Sequence, residues 1–189
     1  MLTNIVCNEE PYIEVSISDS ISAQIIDCFK WRQDVNEEAF IVISSLSNMY
    51  KRDFSQNIES FYDFIDFGLQ QKNSSGIVRN TCGLIADLCV NECASFLVQK
   101  LDCIMPKVFD LLSDTNVDRS VKIWSITNIG DLLGVSGEHF APYMVKAMQI
   151  LEFASKRIIE FNRAQSDEDY IEYIMSMSQI LIETYTSII

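Results

Sequence analysis

The chain contains 189 residues, of which 48% are hydrophobic and 22% are charged, so it is too apolar for an intrinsically disordered protein. Its 27 acidic residues outnumber its 14 Lys and Arg residues and give a net charge of −13, which disfavours binding to the phosphates of nucleic acids. Only 3 Pro and 6 Gly occur, whereas all-β folds need such residues at many turns, so the composition favours helices.

Apolar residues recur at helical spacing through nearly the whole chain, and short polar breaks separate the predicted helices. After an irregular start, helices are predicted at residues 19–32, 37–50, 54–71, 75–90, 93–112, 117–135, 138–152 and 169–189. Asn36 and either Ser166 or Asp167 are candidate N-caps, and Lys51-Arg52-Asp53 is a predicted turn. Pro106 lies in the middle of a predicted helix, where we expect a local kink because proline lacks the amide donor.

The predicted helices repeat with a nearly constant period. Phe54, Leu97 and Phe140 begin the second helices of successive predicted hairpins at intervals of 43 residues. Asp87 and Asp131, near the ends of successive first helices, lie 44 residues apart. A period of about 40–47 residues built from two helices is typical of HEAT repeats. The sequence therefore predicts an all-α protein, an α-α superhelix (solenoid) of HEAT repeats, with a closed helical bundle as the alternative.

The predicted repeats divide the chain into six segments. Residues 1–18 are an irregular segment or the end of a preceding repeat, and 19–35 are the second helix of a partial repeat. Complete repeats are predicted at 36–73, 74–115 and 116–165, the last with a longer connector. Residues 166–189 are predicted as the first helix of a further, incomplete repeat.

No pattern in the sequence indicates an active site. The six cysteines include no Cys-x-x-Cys pair and are interpreted as reduced core residues. A zinc site or a Cys–His nucleophilic pair would have to use His139, the only histidine, which lies in a polar predicted turn. No apolar run reaches the length of about 18 residues that a membrane span requires. We therefore predict a soluble intracellular protein that is not an enzyme and has no catalytic residue, metal or cofactor.

Several short segments, taken together and in order, resemble the C-terminal half of importin-β, a nuclear transport receptor of the karyopherin-β family built from HEAT repeats. They are 82–89 (CGLIADLC), 116–122 (NVDRSVK), 129–131 (IGD), 137–140 (GEHF) and 183–188 (ETYTSI). The matches follow the family's order and nearly its spacing from about Ser18 to the end. Because importin-β is several times longer than this chain, the resemblance implies an excised fragment or a truncated gene product.

This resemblance implies a receptor that imports proteins into the nucleus and shuttles between cytoplasm and nucleus through the nuclear pore. Its concave surface, lined by second helices, would bind basic cargo or the importin-β-binding helix of importin-α. RanGTP would release the cargo in the full-length receptor, and Phe-Gly nucleoporins would bind between adjacent convex helices. Another HEAT scaffold, such as a phosphatase regulatory subunit, and a helical-bundle enzyme are the alternatives.

The predicted second helices carry carboxylates that suit a basic partner. In the predicted helix 54–71, Glu59, Asp63 and Asp66 lie on one exposed face, with no lysine among them to neutralise their charge. The complete candidate surface, hereafter the acidic surface, comprises Glu59, Asp63, Asp66, Asp102, Asp110, Glu138 and Glu152. The alternative interpretation is a solvated acidic helix face that binds no ligand.

Two other groups of residues are interpreted as structural. Charged residues of the predicted first helices would form ladders between neighbouring repeats, and they are Arg79, Asp87, Lys122 and Asp131. The aromatic residues recur at helical spacing and are predicted to lie mainly in the core: Trp31, Phe61, Phe64, Phe67, Phe109, Trp124, Tyr143 and Phe153.

Overall fold

The computed structural model describes residues 20–27, 37–55, 58–91, 93–161 and 167–188, and helices account for nearly all of these residues. No β-strand occurs in these ranges. The α-helices from residue 37 onward are α1 (Glu37–Ser55), α2 (Tyr62–Gln70), α3 (Ser75–Val90), α4 (Ala94–Gln99), α5 (Leu101–Ser113), α6 (Arg119–Ser136), α7 (Ala141–Ile159) and α8 (Glu168–Ile188). Residues 20–27 are also helical, and 3₁₀ turns at Ile58–Phe61 and Gly137–Phe140 precede α2 and α7.

The helices pack in two layers. α1, α3, α6 and α8 lie side by side and form the first layer, while α2, α4 with α5, and α7 form the second layer. α2 also packs on α3, α5 on α6, and α7 on α8, so each of these second-layer helices contacts the first-layer helix that follows it. This arrangement is that of the predicted all-α superhelix, in which each unit packs against its neighbours.

Polar contacts between α1 and α3 display the repeat period directly. The Asn80 side-chain amide donates to the Glu37 carbonyl oxygen at 3.1 Å, across a sequence separation of 43 residues. The Asn91 amide donates to Asn48 Oδ1 at 2.8 Å, also across 43 residues. A unit of this length matches the HEAT period of about 40–47 residues and exceeds the about 34 residues of a tetratricopeptide repeat.

An apolar core between the two layers extends from Ile21 to Ala147. Its largest fully buried side chains are aromatic, and they are Phe40, Phe61, Phe64 and Phe140. A smaller cluster joins α6, α7 and α8 through Ile126, Leu151, Met177 and Leu181. The apolar core is therefore built both within a unit, as in the contacts of Phe64 with Phe40 and Phe61, and between neighbouring units, as in the smaller cluster.

The predicted aromatic core is only partly correct. Phe61, Phe64 and Phe109 are buried, but Phe153 is 67% exposed and Trp124 is 40% exposed. Phe67 and Tyr143 are half-buried against the core, and Trp31 lies outside the described residues. Helical spacing does not distinguish a face that packs on a neighbouring helix from one that borders a groove, which is why the two exposed residues were misplaced.

Several helix boundaries differ from the prediction; α7, for example, continues to Ile159, past the predicted end at residue 152. α1 continues to Ser55, so Lys51-Arg52-Asp53 is helical rather than a turn, because the segment lacks Gly and Pro and buried Phe54 extends the apolar stripe. The predicted helix 93–112 is divided at Lys100 into α4 and α5. α5 is continuous through Pro106, so the interruption lies at Lys100 and not at the proline where a kink was expected.

Two aspartates cap the helices α6 and α8. Asp118 Oδ1 accepts the Ser120 amide at 2.8 Å at the start of α6, and Asp167 Oδ1 accepts the Tyr170 amide at 2.7 Å at the start of α8. The predicted cap at Asp167 is therefore confirmed. The predicted cap at Asn36 lies outside the described residues.

Gly68 of α2 allows close packing against α3. A Cβ atom at this position would lie 2.0 Å from Thr81 Oγ1 and 3.0 Å from the Phe40 ring. Thr81 is fully buried, and its hydroxyl donates to the Ile77 carbonyl oxygen at 2.7 Å. Any side chain at position 68 would therefore displace a packed and hydrogen-bonded neighbour.

We predict that Gly68→Ala lowers the free energy of unfolding by about 1–3 kcal/mol, because overpacking outweighs the gain in helix propensity. Gly83→Ala in α3 is the matched control, since a Cβ atom there would have no neighbour within 4 Å. It should raise the free energy of unfolding by about 0.5–1 kcal/mol. Urea unfolding followed by circular dichroism measures both changes, and equal effects at the two positions would contradict the packing of α2 on α3.

Candidate partner-binding surface

The acidic surface is spread over the second layer and its two 3₁₀ turns. In chain order its members are Glu59 in the first turn, Asp63 and Asp66 on α2, Asp102 and Asp110 on α5, Glu138 in the second turn, and Glu152 on α7. All are exposed except Asp66, which is half-buried. The structure therefore places the predicted residues on one layer, but their local environments differ.

Lysines from neighbouring elements neutralise two of these carboxylates. Lys107 Nζ of α5 lies 2.9 Å from Asp66 Oδ1 of α2, and Lys72 Nζ, in the loop after α2, lies 2.6 Å from Asp110 Oδ2 of α5. Lys72 also pairs with Asp114 at 3.0 Å, and these two carboxylates raise its pKa. The sequence analysis found no lysine among the carboxylates of this helix face, and the lysine that pairs with Asp66 comes from the adjacent repeat.

Two further members have partners close by. Glu152 pairs with Lys156 at 2.7 Å within α7, and this lysine holds the pKa of the glutamate below its usual value. Asp102 accepts a hydrogen bond from the Tyr143 hydroxyl of α7. Burial and this hydrogen bond raise the pKa of Tyr143 to about 12, so the hydroxyl remains a donor at neutral pH. Asp102 therefore joins α5 to α7.

Glu59, Asp63 and Glu138 differ from the other four members. Within the described part of the chain, they form no ion pair or side-chain hydrogen bond. They are also exposed. A carboxylate without an internal partner gives up no existing contact when it pairs with an external cation. These three residues are therefore the best candidates for contacting a basic protein.

The four predicted inter-repeat charges occupy different environments. Asp87 of α3 accepts a hydrogen bond from the Ser44 hydroxyl of α1. Arg79 is exposed and Lys122 is half-buried, and neither forms an ion pair among the described residues. Asp131 of α6 is half-buried, and this burial raises the pKa of its carboxyl group. The described polar contacts between α1 and α3 are thus made by hydroxyl, amide and carboxylate groups rather than by pairs of opposite charges.

Asn128 of α6 is a structural residue that the sequence analysis missed. It is fully buried, and its amide donates to the Cys82 carbonyl oxygen of α3 at 2.9 Å. This hydrogen bond satisfies the buried Nδ2 group, whereas Oδ1 of Asn128 has no partner among the described residues. Because the donor would otherwise be desolvated without a partner, the contact favours one position of α6 against α3. The sequence contained one indication of this role, since Asn128 is a polar amide among the apolar residues of a predicted helix.

The cysteines and the histidine show no arrangement for catalysis in the described ranges. Cys82 and Cys89 are buried, and burial raises the pKa of each thiol to about 12, which keeps both protonated. Cys103 and His139 are exposed. No group of three or more His, Cys, Asp or Glu residues in these ranges could hold a metal ion. Likewise, none of the described helices has both the length and the apolar character needed to cross a membrane.

A groove of about 470 Å³ lies on the first layer between α1, α3 and α6, hereafter the first-layer groove. Ile41 and Trp124 line it, and each is 40% exposed. Gly83 lines it as well, and a Cβ atom at this position would point into open space. Serine, asparagine and charged side chains complete the lining, so the groove offers both apolar and polar contacts to a side chain from outside the chain.

The two-layer packing and the 43-residue period define the class of protein, an all-α superhelix of two-helix repeats. A family model described as "Importin subunit beta-1-like, TPR repeats" matches residues 1–189. The chain therefore belongs to the importin-β-like family of nuclear transport receptors. This confirms the resemblance that the short sequence segments indicated and the predicted class of fold.

Individual relatives show how much of the family's length is present. Importin subunit beta-1 of Arabidopsis thaliana is 27% identical over 153 residues, which cover 81% of this chain and 17% of that protein. A structure of the yeast importin-β Kap95p that describes its binding to RanGDP has a TM-score of 0.83 at 18% identity and covers 99% of this chain and 21% of that chain. The structure of the Kap95:Nup1 complex has a TM-score of 0.74 at 18% identity. This match covers 92% of the present chain and 20% of the chain in that structure. The chain thus spans about a fifth of the length of these relatives.

Proposed function

We propose that this chain is part of an importin-β-like receptor for nuclear protein import and that its second layer binds a basic protein. The family match over residues 1–189 carries this proposal. The partner is a basic cargo or importin-α, bound through its importin-β-binding helix. In the full-length receptor, RanGTP releases this partner, in keeping with the binding of Kap95p to RanGDP. The receptor moves between cytoplasm and nucleus.

The charge distribution supports a basic partner. The chain has a net charge of −13, and Glu59, Asp63 and Glu138 are exposed on the second layer without internal partners. Carboxylates on neighbouring helices create a negative potential that attracts a basic helix and accelerates its association. Asp66 and Asp110 already bind lysines of this chain, so they would contribute less unless those lysines move away.

The repeat boundaries belong to the same proposal. We assign complete repeats to residues 36–73, 74–115 and 116–165, and partial repeats to 19–35 and 166–189. The alternation of first-layer and second-layer helices along the chain supports this division. The family match disfavours the two alternatives, another HEAT scaffold and a helical-bundle enzyme, since importin-β-like proteins as a family are transport receptors.

The acidic surface is tested with a fluorescent peptide that has the sequence of the importin-β-binding helix of importin-α. We predict that Glu59→Lys with Asp63→Lys weakens its binding by at least about tenfold, because the variant repels the basic peptide. The matched control is Glu160→Lys with Glu172→Lys, which changes the net charge equally at exposed positions outside the acidic surface. Equal weakening by both double variants, or no binding to the unmodified chain, would contradict the proposed surface.

We also propose that the first-layer groove binds a Phe-Gly segment of a nucleoporin. Kap95p forms a complex with Nup1 in a structure that shares this fold. A phenylalanine side chain inserted between α1 and α3 would cover the exposed parts of Ile41 and Trp124. Removing this apolar area from water would favour binding by about 25 cal/mol for each Å² buried.

Gly83→Leu tests this groove by adding a side chain that fills it, so that no existing side chain has to be removed. Because a side chain at position 83 points into open space, the leucine should occupy the groove while the fold is retained. We predict that this variant weakens binding of a Phe-Gly repeat peptide by at least about tenfold, measured by NMR titration. Gly134→Leu, at an exposed position of α6 with equally open surroundings, is the control and should not change binding. Unchanged binding to Gly83→Leu would exclude the groove as the site.

A further inference from the structure

A second groove, hereafter the basic groove, differs in charge from the rest of the molecule. It has a volume of about 760 Å³ and lies between α6, α7 and α8. Apolar side chains from all three helices line it, among them Ile126, Ile150 and Met177. Its cationic side chains are Arg119, Lys122 and Arg157. With Asp167 as the one acidic residue of the described lining against these three cations, the lining of the groove is net positive in a chain with a net charge of −13.

The cations of the basic groove form no direct ion pair within the described residues, whereas three lysines outside the groove do. Hydrogen bonds lower the pKa of the Asp118 and Asp114 carboxyl groups, and Arg119 and Lys122 lie near enough to these two groups to lower it further. Asp167 also lines the groove, but its Oδ1 atom accepts the Tyr170 amide at 2.7 Å and caps α8. The groove therefore retains an unmatched positive charge that a carboxylate-bearing ligand could neutralise.

Arg119 is held in place by aromatic rings rather than by an acid. Its guanidinium carbon lies 4.7 Å from the centroid of the Tyr170 ring and 5.8 Å from that of Tyr173. Such cation–π contacts fix the guanidinium while leaving its N–H donors able to bind an anion. Because the Arg119 side chain is already ordered before a ligand binds, the entropic cost of binding is lower.

The rim of the groove is apolar as well as basic. Phe153 lines the groove and is 67% exposed, although phenylalanine side chains are usually buried in folded proteins. A ligand that covers Phe153 would remove apolar area from water in addition to pairing its carboxylates. A small anion could use the charges but not this apolar lining. A peptide that contains both acidic and apolar side chains could use both.

We propose that the basic groove binds a short acidic segment of a partner protein, in which carboxylates flank an apolar or aromatic side chain. The apolar side chain packs among Ile126, Ile150 and Met177. The carboxylates pair with Arg119 and Lys122 of α6 and with Arg157 of α7. This site is distinct from the acidic surface, whose proposed partner is basic, and its test does not depend on the outcome there.

Fluorescence polarisation with a labelled peptide in which Glu residues flank a Leu-Phe pair tests this inference on the 189-residue chain. We expect saturable binding that weakens as salt is added. Replacing Glu by Lys, or Leu and Phe by Ser, should each weaken binding by at least about tenfold, since each change removes one of the two contributions. Equal binding of the Lys peptide, or no saturable binding of the Glu peptide, would overturn the inference.

Matched charge reversals on α7 locate the site. Arg157→Glu should weaken binding by at least about tenfold, whereas Lys146→Glu, exposed on the same helix but outside the groove, should change it by less than about twofold. Lys122→Glu provides a second reversal on another helix, and thermal melting shows that each variant is folded. Equal effects of Arg157→Glu and Lys146→Glu would overturn the site, as would a dimer of the chain that Arg157→Glu dissociates.

Discussion

The packing of α6 is the constraint on which the rest of the structure depends. This helix contacts α3 on one side and α8 on the other within the first layer, and it also packs on α4 and α5 of the second layer. The buried Asn128 side chain fixes it against α3 through the Cys82 carbonyl oxygen, at 2.9 Å. Both grooves have a wall on α6, since Trp124 lines the first-layer groove and Ile126 lines the basic groove. The position of α6 therefore determines the shapes of the two proposed docking sites.

Much of the fold could be predicted from the sequence because helical spacing and a period of 43 residues are properties of the chain itself. The predicted helix at 75–90 and the cap at Asp167 needed only local chemistry, and the structure has both. The division at Lys100 and the continuation of α1 to Ser55 depend on packing between helices, which a single-helix pattern does not contain. The same limit applies to the candidate site. Lys107 neutralises Asp66 from the adjacent helix, so the projection of one helix could not reveal the pair.

The functional proposals follow from how a superhelix distributes its surfaces. Because each unit packs mainly on its neighbours, several helix faces and the grooves between them remain open to partners. In this chain the open surfaces differ in chemistry: the second layer has unpaired carboxylates, the first-layer groove combines apolar side chains with serine, asparagine and charged ones, and the basic groove combines cations with apolar side chains. Different partners could therefore bind one short array at separate places. Because the two grooves share a wall on α6, a ligand that shifts this helix in one groove would alter the other.

Native-state hydrogen exchange of the 189-residue chain tests the central position of α6 most directly. Amides of a helix that packs on neighbours in both layers should exchange only through global unfolding, with an opening free energy equal to the free energy of unfolding from urea titration. The amides of α1 and α8, which pack on fewer of the helices from residue 37 onward in the described ranges, should exchange through smaller local openings. Exchange that is faster in α6 than in both α1 and α8 would contradict the account.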